Sequence, residues 1–172
     1  MKIYKFILMT ILYSQLYSQC ANWETPSFAN SASITAVVIM NAGQMGDSDD
    51  LLAAFDSEGN IRGLAVQLDV PDNFPSEYAG TILYSMNIST DQNNGDQISF
   101  KYCDASFGSI LIIEESMALY ENDIEGNSQN PIQLNILQDE CGVSGGDGPV
   151  AGLTCYGVPK SWEYTQSTLQ AF

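Results

Sequence analysis

Two stretches of this chain alternate apolar and polar residues with a period of two, and turn formers bound both. In 81–89, Ile82, Tyr84, Met86 and Ile88 fall on one face while Thr81, Ser85 and Asn87 fall on the other. In 97–103, Ile98, Phe100 and Tyr102 share a face. That period belongs to a strand with one buried side. Shorter apolar runs at 32–40, 51–55, 61–66, 109–113, 117–120 and 132–136 are separated by Gly, Asn, Asp and Pro, and no stretch after residue 20 has a helical period. Many short strands at close spacing predict an all-β chain, an immunoglobulin-like antiparallel β-sandwich.

The stretch 47–65, DSDDLLAAFDSEGNIRGLA, reads as the central hairpin of that sandwich. Leu51 to Phe55 runs out, Ser57-Glu58-Gly59-Asn60 turns, and Ile61 to Val66 returns. The Gly-rich, acidic 41–50 reads as a loop, and so does 122–131. With two prolines, 69–80 reads as a connection across the sandwich. The composition shifts at 139–160 to Gly, Cys and Asp, too poor in apolar residues to build a core, which marks a C-terminal linker. The last twelve residues resume an aromatic pattern, and Trp162-Glu163 echoes Trp23-Glu24. The expected organisation is a signal peptide at 1–20, a β-sandwich module at 21–138, the linker at 139–160 and the start of a second module at 161–172.

Residues 1–20 have a basic start (Lys2, Lys5), an apolar middle and a small, polar end, the layout of a secretory signal peptide. Its apolar core is too short to span a bilayer, so no membrane insertion is expected after its removal. The expected destination is secretion or the cell surface. Formal charge is −16, and removal of the leader leaves 3 basic against 21 acidic residues. Such a surface repels phosphate, which excludes nucleic acid and anionic membrane as partners.

Four cysteines fit an oxidising compartment. Cys141 and Cys155 bracket a Gly-rich loop and form the best-supported pair. Cys103 shares strand parity with Ser99 and Lys101; it is either a free thiol or the partner of Cys20.

The fragments Trp23, SITAVVIM, DDLLAAF, IRGLA, ISFKYCDA and IEGNSQNPIQL, in that order, resemble a repeated β-sandwich module of large secreted or surface proteins of bacteria, common in marine species. The resemblance covers about 22–138. The tail DECGVSGGDG resembles a Cys-Gly linker of the form CGVCGGD, seen between such modules and in the cysteine-rich part of thrombospondin-motif metalloproteases. Ser144 stands where that pattern has its second cysteine, which favours Cys141 with Cys155. The module has no established enzymatic activity. The resemblance therefore implies a structural or adhesive building block, with other modules of the same chain, extracellular polysaccharide or a surface protein as partners.

No histidine is present, so Ser-His-acid and Cys-His systems in their usual form are excluded, and no catalytic residue is assigned. The cysteines also lack paired zinc-binding spacing. Asp47, Asp49 and Asp50 are the candidate hard-oxygen ligands for calcium, the one cofactor in view. The competing reading has these acids solvating a loop while Asp50 pairs with Arg62 across the hairpin. Trp23, Tyr84, Tyr102, Tyr120 and Trp162 raise a carbohydrate-binding module with calcium support, although Tyr84 and Tyr102 lie on the apolar parity of their strands. An accessory domain of a secreted hydrolase is the third reading.

Overall fold

The computed structural model describes residues 23, 24, 27, 30–90, 95–144, 146 and 148–160. The expected leader at 1–20 and second-module start at 161–172 lie outside them. The chain divides into two compact units, Met1–Ile136 and Leu137–Phe172. No helix among the described residues is long and apolar enough to cross a membrane.

The first unit is all-β. Its strands are β1 (Ser31–Met40), β2 (Gly43–Met45), β3 (Leu51–Phe55), β4 (Ile61–Leu64), β5 (Val66–Asp69), β6 (Ile82–Ser89), β7 (Asp96–Asp104), β8 (Ser109–Leu119), β9 (Ile124–Glu125) and β10 (Ile132–Asn135). One sheet runs β10-β1-β6-β5, with β2 and β9 also paired to β1; the other runs β4-β3-β7-β8. The two sheets share a sandwich-like core. Ile34, Ala36 and Val38 of β1 and Tyr84, Met86 and Ile88 of β6 meet Leu52 and Ala54 of β3 and Ile98, Phe100 and Tyr102 of β7. The period-two stretches thus bury the faces that their alternation marks.

Several expectations are corrected. Both sheets are antiparallel as expected except along β1, where β9 and β10 run parallel. The return run 61–66 is two strands, because the chain changes sheets at Ala65: β4 pairs with β3, and β5 with β6. The 69–80 connection therefore does not cross the sandwich but joins neighbours within one sheet. It folds over that sheet's outer face, where Val70, Tyr78 and Phe74 cover Val37 and Leu83. This is why β1 and β6 bury residues of both parities. The apolar runs at 109–113 and 117–120 belong to one strand, β8, whose ladder with β7 is irregular between Ser99 and Lys101. Within that irregular stretch Glu115 accepts the amide and side-chain nitrogens of Asn135, both at 2.6 Å, and Ile113 bridges Ile136. These contacts close one edge of the sandwich.

Loops 41–50 and 122–131 also hold the short strands β2 and β9. β2 turns back from β1 through Asn41 and Ala42, both with positive φ (52° and 61°), the two-residue hairpin geometry whose twist matches that of the strands. The β3–β4 turn is built on Asp56. Its carboxylate accepts the amides of Glu58 and Asn60 at 3.0 and 2.8 Å, and Gly59 takes φ 85°.

Candidate functional site

Asp50 begins the central hairpin and is 3% exposed. Its Oδ2 accepts the Asp47 amide at 2.7 Å and the Tyr102 hydroxyl, and its Oδ1 accepts the Ala105 amide at 2.8 Å. Tyr84 donates in turn to the Tyr102 hydroxyl at 3.3 Å, with the two rings edge to face, 5.9 Å between centroids. From β5, Gln67 Nε2 donates to the carbonyls of Asp47 and Asp50 at 2.7 and 3.0 Å. One carboxylate therefore ties the 47–50 loop to β7 and to the β7–β8 turn, and Gln67 ties the same loop to the other sheet. Burial pushes the Tyr102 hydroxyl well above the ordinary tyrosine range, and its donated bond to Asp50 pushes the same way. Burial likewise raises Tyr84. Both rings are fully buried, so neither serves as a platform for a sugar and neither offers a phenolate at neutral pH.

The arrangement redistributes the acids proposed as calcium ligands. Asp47 and Asp49 are exposed, whereas Asp50 turns inward, and both of its carboxylate oxygens already accept protein donors. Among the described residues no three acids or other ligating side chains come together to hold a metal ion. Sequence reasoning placed Asp50 on a loop and missed Tyr102 as its partner. The available signal was the position of Asp50 immediately before the unbroken apolar run Leu51–Phe55, of which all but Leu51 is buried.

Arg62 does not pair with Asp50. In the antiparallel register Gly63 faces Ala54 and Ile61 faces Phe55, which puts Arg62 at the turn end of the hairpin, several residues along β3 from Asp50. There its Nη2 meets Asp96 at 2.9 Å, its Nη1 meets Asp56 at 3.5 Å, and its Nε donates to the Ser89 carbonyl at 3.0 Å. The fork thus joins β4 and its turn to β7 in its own sheet and to β6 in the other. Desolvation is the largest single effect on the Asp56 carboxyl and raises it, but the hydrogen bonds from Asn60 and Glu58 and the charge of Arg62 together hold it below its ordinary value.

The outer face of the four-stranded sheet carries Phe55. Trp23 packs edge-on against it, 5.5 Å between centroids, and Lys101 Nζ lies 4.5 Å from its centre, a cation–π arrangement. Trp23 is therefore committed to packing; Tyr120 is 52% exposed, and Trp162 lies outside the described residues. Cys103, on this same parity, is fully buried and disulfide-bonded, so the free-thiol alternative falls away. An open depression of about 250 Å³ lies on the six-stranded sheet between Ser31, Ser33 and Asn87 on one side and Asn122 to Ile124 on the other. Its one carboxylate, Asp123, is taken up by the Tyr120 amide at 2.8 Å.

In the second unit Cys141 and Cys155 form a disulfide with 5.4 Å between Cα atoms. No family model, curated protein or solved structure matches the chain.

Proposed function

We propose that this chain is a non-catalytic extracellular module, an immunoglobulin-like β-sandwich serving as a structural or adhesive unit of a larger secreted or surface protein. One observation carries this reading. The side chains best suited to bind or react, Asp50, Tyr102, Tyr84 and Arg62, are the ones whose hydrogen bonds join strands and loops to each other. A module selected to hold a shape spends its polar groups in this way. The disulfide at Cys141 and Cys155 and the bridged Cys103 suit an oxidising, extracellular setting. The acidic surface suits a partner that is neither nucleic acid nor an anionic membrane.

Retention of the immobilised chain on insoluble extracellular polysaccharides, in chelator and in excess calcium, tests the reading. The reading expects no saturable retention from a scaffold module, or retention that chelator leaves unchanged from an adhesive one. Saturable retention that depends on calcium overturns it in favour of a carbohydrate-binding module.

A further inference from the structure

The second unit, taken by itself, contains one turn built twice. In the first copy the Asp139 amide donates to the Val143 carbonyl at 3.0 Å and the Gly142 amide returns to the Asp139 carbonyl at 2.9 Å. The Asp139 carboxylate accepts the amides of Cys141 and Val143, both at 2.8 Å. In the second copy Thr154 donates to the Val158 carbonyl at 2.7 Å and Gly157 returns to Thr154 at 2.9 Å. Here the Thr154 hydroxyl accepts the amides of Tyr156 and Val158, both at 3.3 Å. Gly142 and Gly157 take φ 74° and 73°, the left-handed residue that closes a type I turn into a bulged hairpin. The flanks match too, since Gln138 bridges Ser144 and Leu153 bridges Pro159.

Each turn's hydrogen bonds are local, and a hairpin this short is marginal by itself, so its persistence depends on what ties it to the rest of the segment. Apolar burial does little to join them. No described residue of 137–160 is buried, and Val143, Val150 and Tyr156 are 55%, 72% and 92% exposed. A segment this short and this exposed lacks the apolar area that offsets chain entropy. Among the described residues the covalent link remains: the Cys141–Cys155 disulfide joins the first turn to the second across 14 residues. Closing a loop of that size shifts the opening equilibrium by about a hundredfold in the chain-entropy account.

We infer that residues 137–160 form a redox-dependent spacer, compact while Cys141–Cys155 is intact and an open tether once a dithiol reductant has cleaved it. Cys155 is the more exposed of the two cysteines and is the point of attack. A thiolate of the reductant bonds to its Sγ, the Cys141–Cys155 bond breaks, and Cys141 leaves as a thiolate that takes up a proton. The second thiol of the reductant then closes onto the first, releasing Cys155 as a thiol; the reductant ends as a disulfide, having given two electrons and two protons. The word spacer rests on the proposed role as a module among neighbours, whereas the opening itself does not.

Hydrogen exchange on the full chain tests the inference, with and without dithiothreitol and in a Cys141→Ser, Cys155→Ser double variant. The double variant is needed because the reductant also reaches the bridge at Cys103. Reduction and the double variant each strip protection from the amides of Val143, Gly148 and Val158, by up to about a hundredfold. The strands of the first unit keep theirs in the double variant. Protection retained across 139–160 in the double variant overturns the inference, whatever dithiothreitol does. Loss in the variant without loss in dithiothreitol overturns its redox part. Neither result bears on retention by polysaccharide, so the two readings fail separately.

Discussion

The Tyr102 hydroxyl donates to the Asp50 carboxylate inside the sandwich, where the tyrosine is fully buried and the aspartate 3% exposed. A hydrogen bond to a buried carboxylate contributes more than one between neutral groups, because the charge has no water to fall back on. Tyr102→Phe leaves the carboxylate with the Asp47 and Ala105 amides, and a loss of about 1.5–3 kcal/mol follows. Asp50→Ala strands the hydroxyl and both amides, so its loss is the larger, about 3 kcal/mol or more. Denaturant unfolding of the two variants checks the order. A loss below about 0.5 kcal/mol in both would remove Asp50 as the anchor of its loop.

Ala42 stands at φ 61° in the tight turn from β1 to β2. A Cβ in that conformation crowds the following carbonyl and is unfavourable by about 1 kcal/mol, a strain that glycine escapes. Ala42→Gly is expected to raise stability by several tenths of a kcal/mol after the entropy of the unfolded chain is counted. Thermal unfolding reads the result, and a lowered midpoint would contradict it.

The strands were the most legible part of the fold, and their partners the least. Tyr84, Met86, Ile88, Ile98, Phe100 and Tyr102 announced their face by alternation, and all are buried. Alternation says nothing about which strand lies alongside, so the parallel placement of β10 on β1 and the sheet change at Ala65 left no periodic trace. Leu83 and Val37 broke parity because a connecting segment covers the second face, a tertiary event that no local window contains. For the same reason Asp50 and Arg62, near in sequence and opposite in charge, invited pairing, while the register carried them to opposite ends of one hairpin. The Cys141–Cys155 pair was legible, since its loop is local and flanked by glycines.

Arg62 reaches Asp96, Asp56 and the Ser89 carbonyl with three different nitrogens. Lysine keeps the charge, but its three N–H bonds radiate from one nitrogen, so it cannot span the three separated acceptors that Arg62 meets with three nitrogens. Arg62→Lys is expected to cost about 1–2 kcal/mol in denaturant unfolding despite the conserved charge. Combined with Asp96→Asn, the two losses should be less than additive. Simple additivity would show that the 2.9 Å contact contributes nothing.

Gly126 follows β9 at φ 70°, and a Cβ there would collide with the Thr35 carbonyl and come within 2.9 Å of the Ile132 amide. Both obstacles are backbone, on β1 and on the first residue of β10, so neither can swing aside. Gly126→Ala is expected to cost about 2 kcal/mol or more and to loosen β10 from β1. Faster exchange at the amides that pair 36–39 with 132–135, against unchanged exchange in β3 and β7, would locate the damage. Equal acceleration throughout would argue instead for global destabilisation with no special role for this junction.

The two copies of the turn in the second unit differ in the chemistry of their cap, and acid should separate them. The Val143 amide, with those of Cys141 and Gly148, holds the Asp139 carboxyl below its ordinary value against a smaller opposing effect of desolvation. A carboxyl whose folded value is depressed gives stability that is fully present above the unfolded value, near pH ~4. That stability fades as pH falls through the lower folded value. Thr154 caps its turn with a hydroxyl that does not titrate in this range. On acidification the amides of Cys141 and Val143 should therefore lose protection before those of Tyr156 and Val158. Asp139→Asn, which keeps an acceptor oxygen without the titration, should abolish the difference. Simultaneous loss at both turns would mean that the acid response belongs to the unit as a whole, with the disulfide transmitting the opening of one turn to the other.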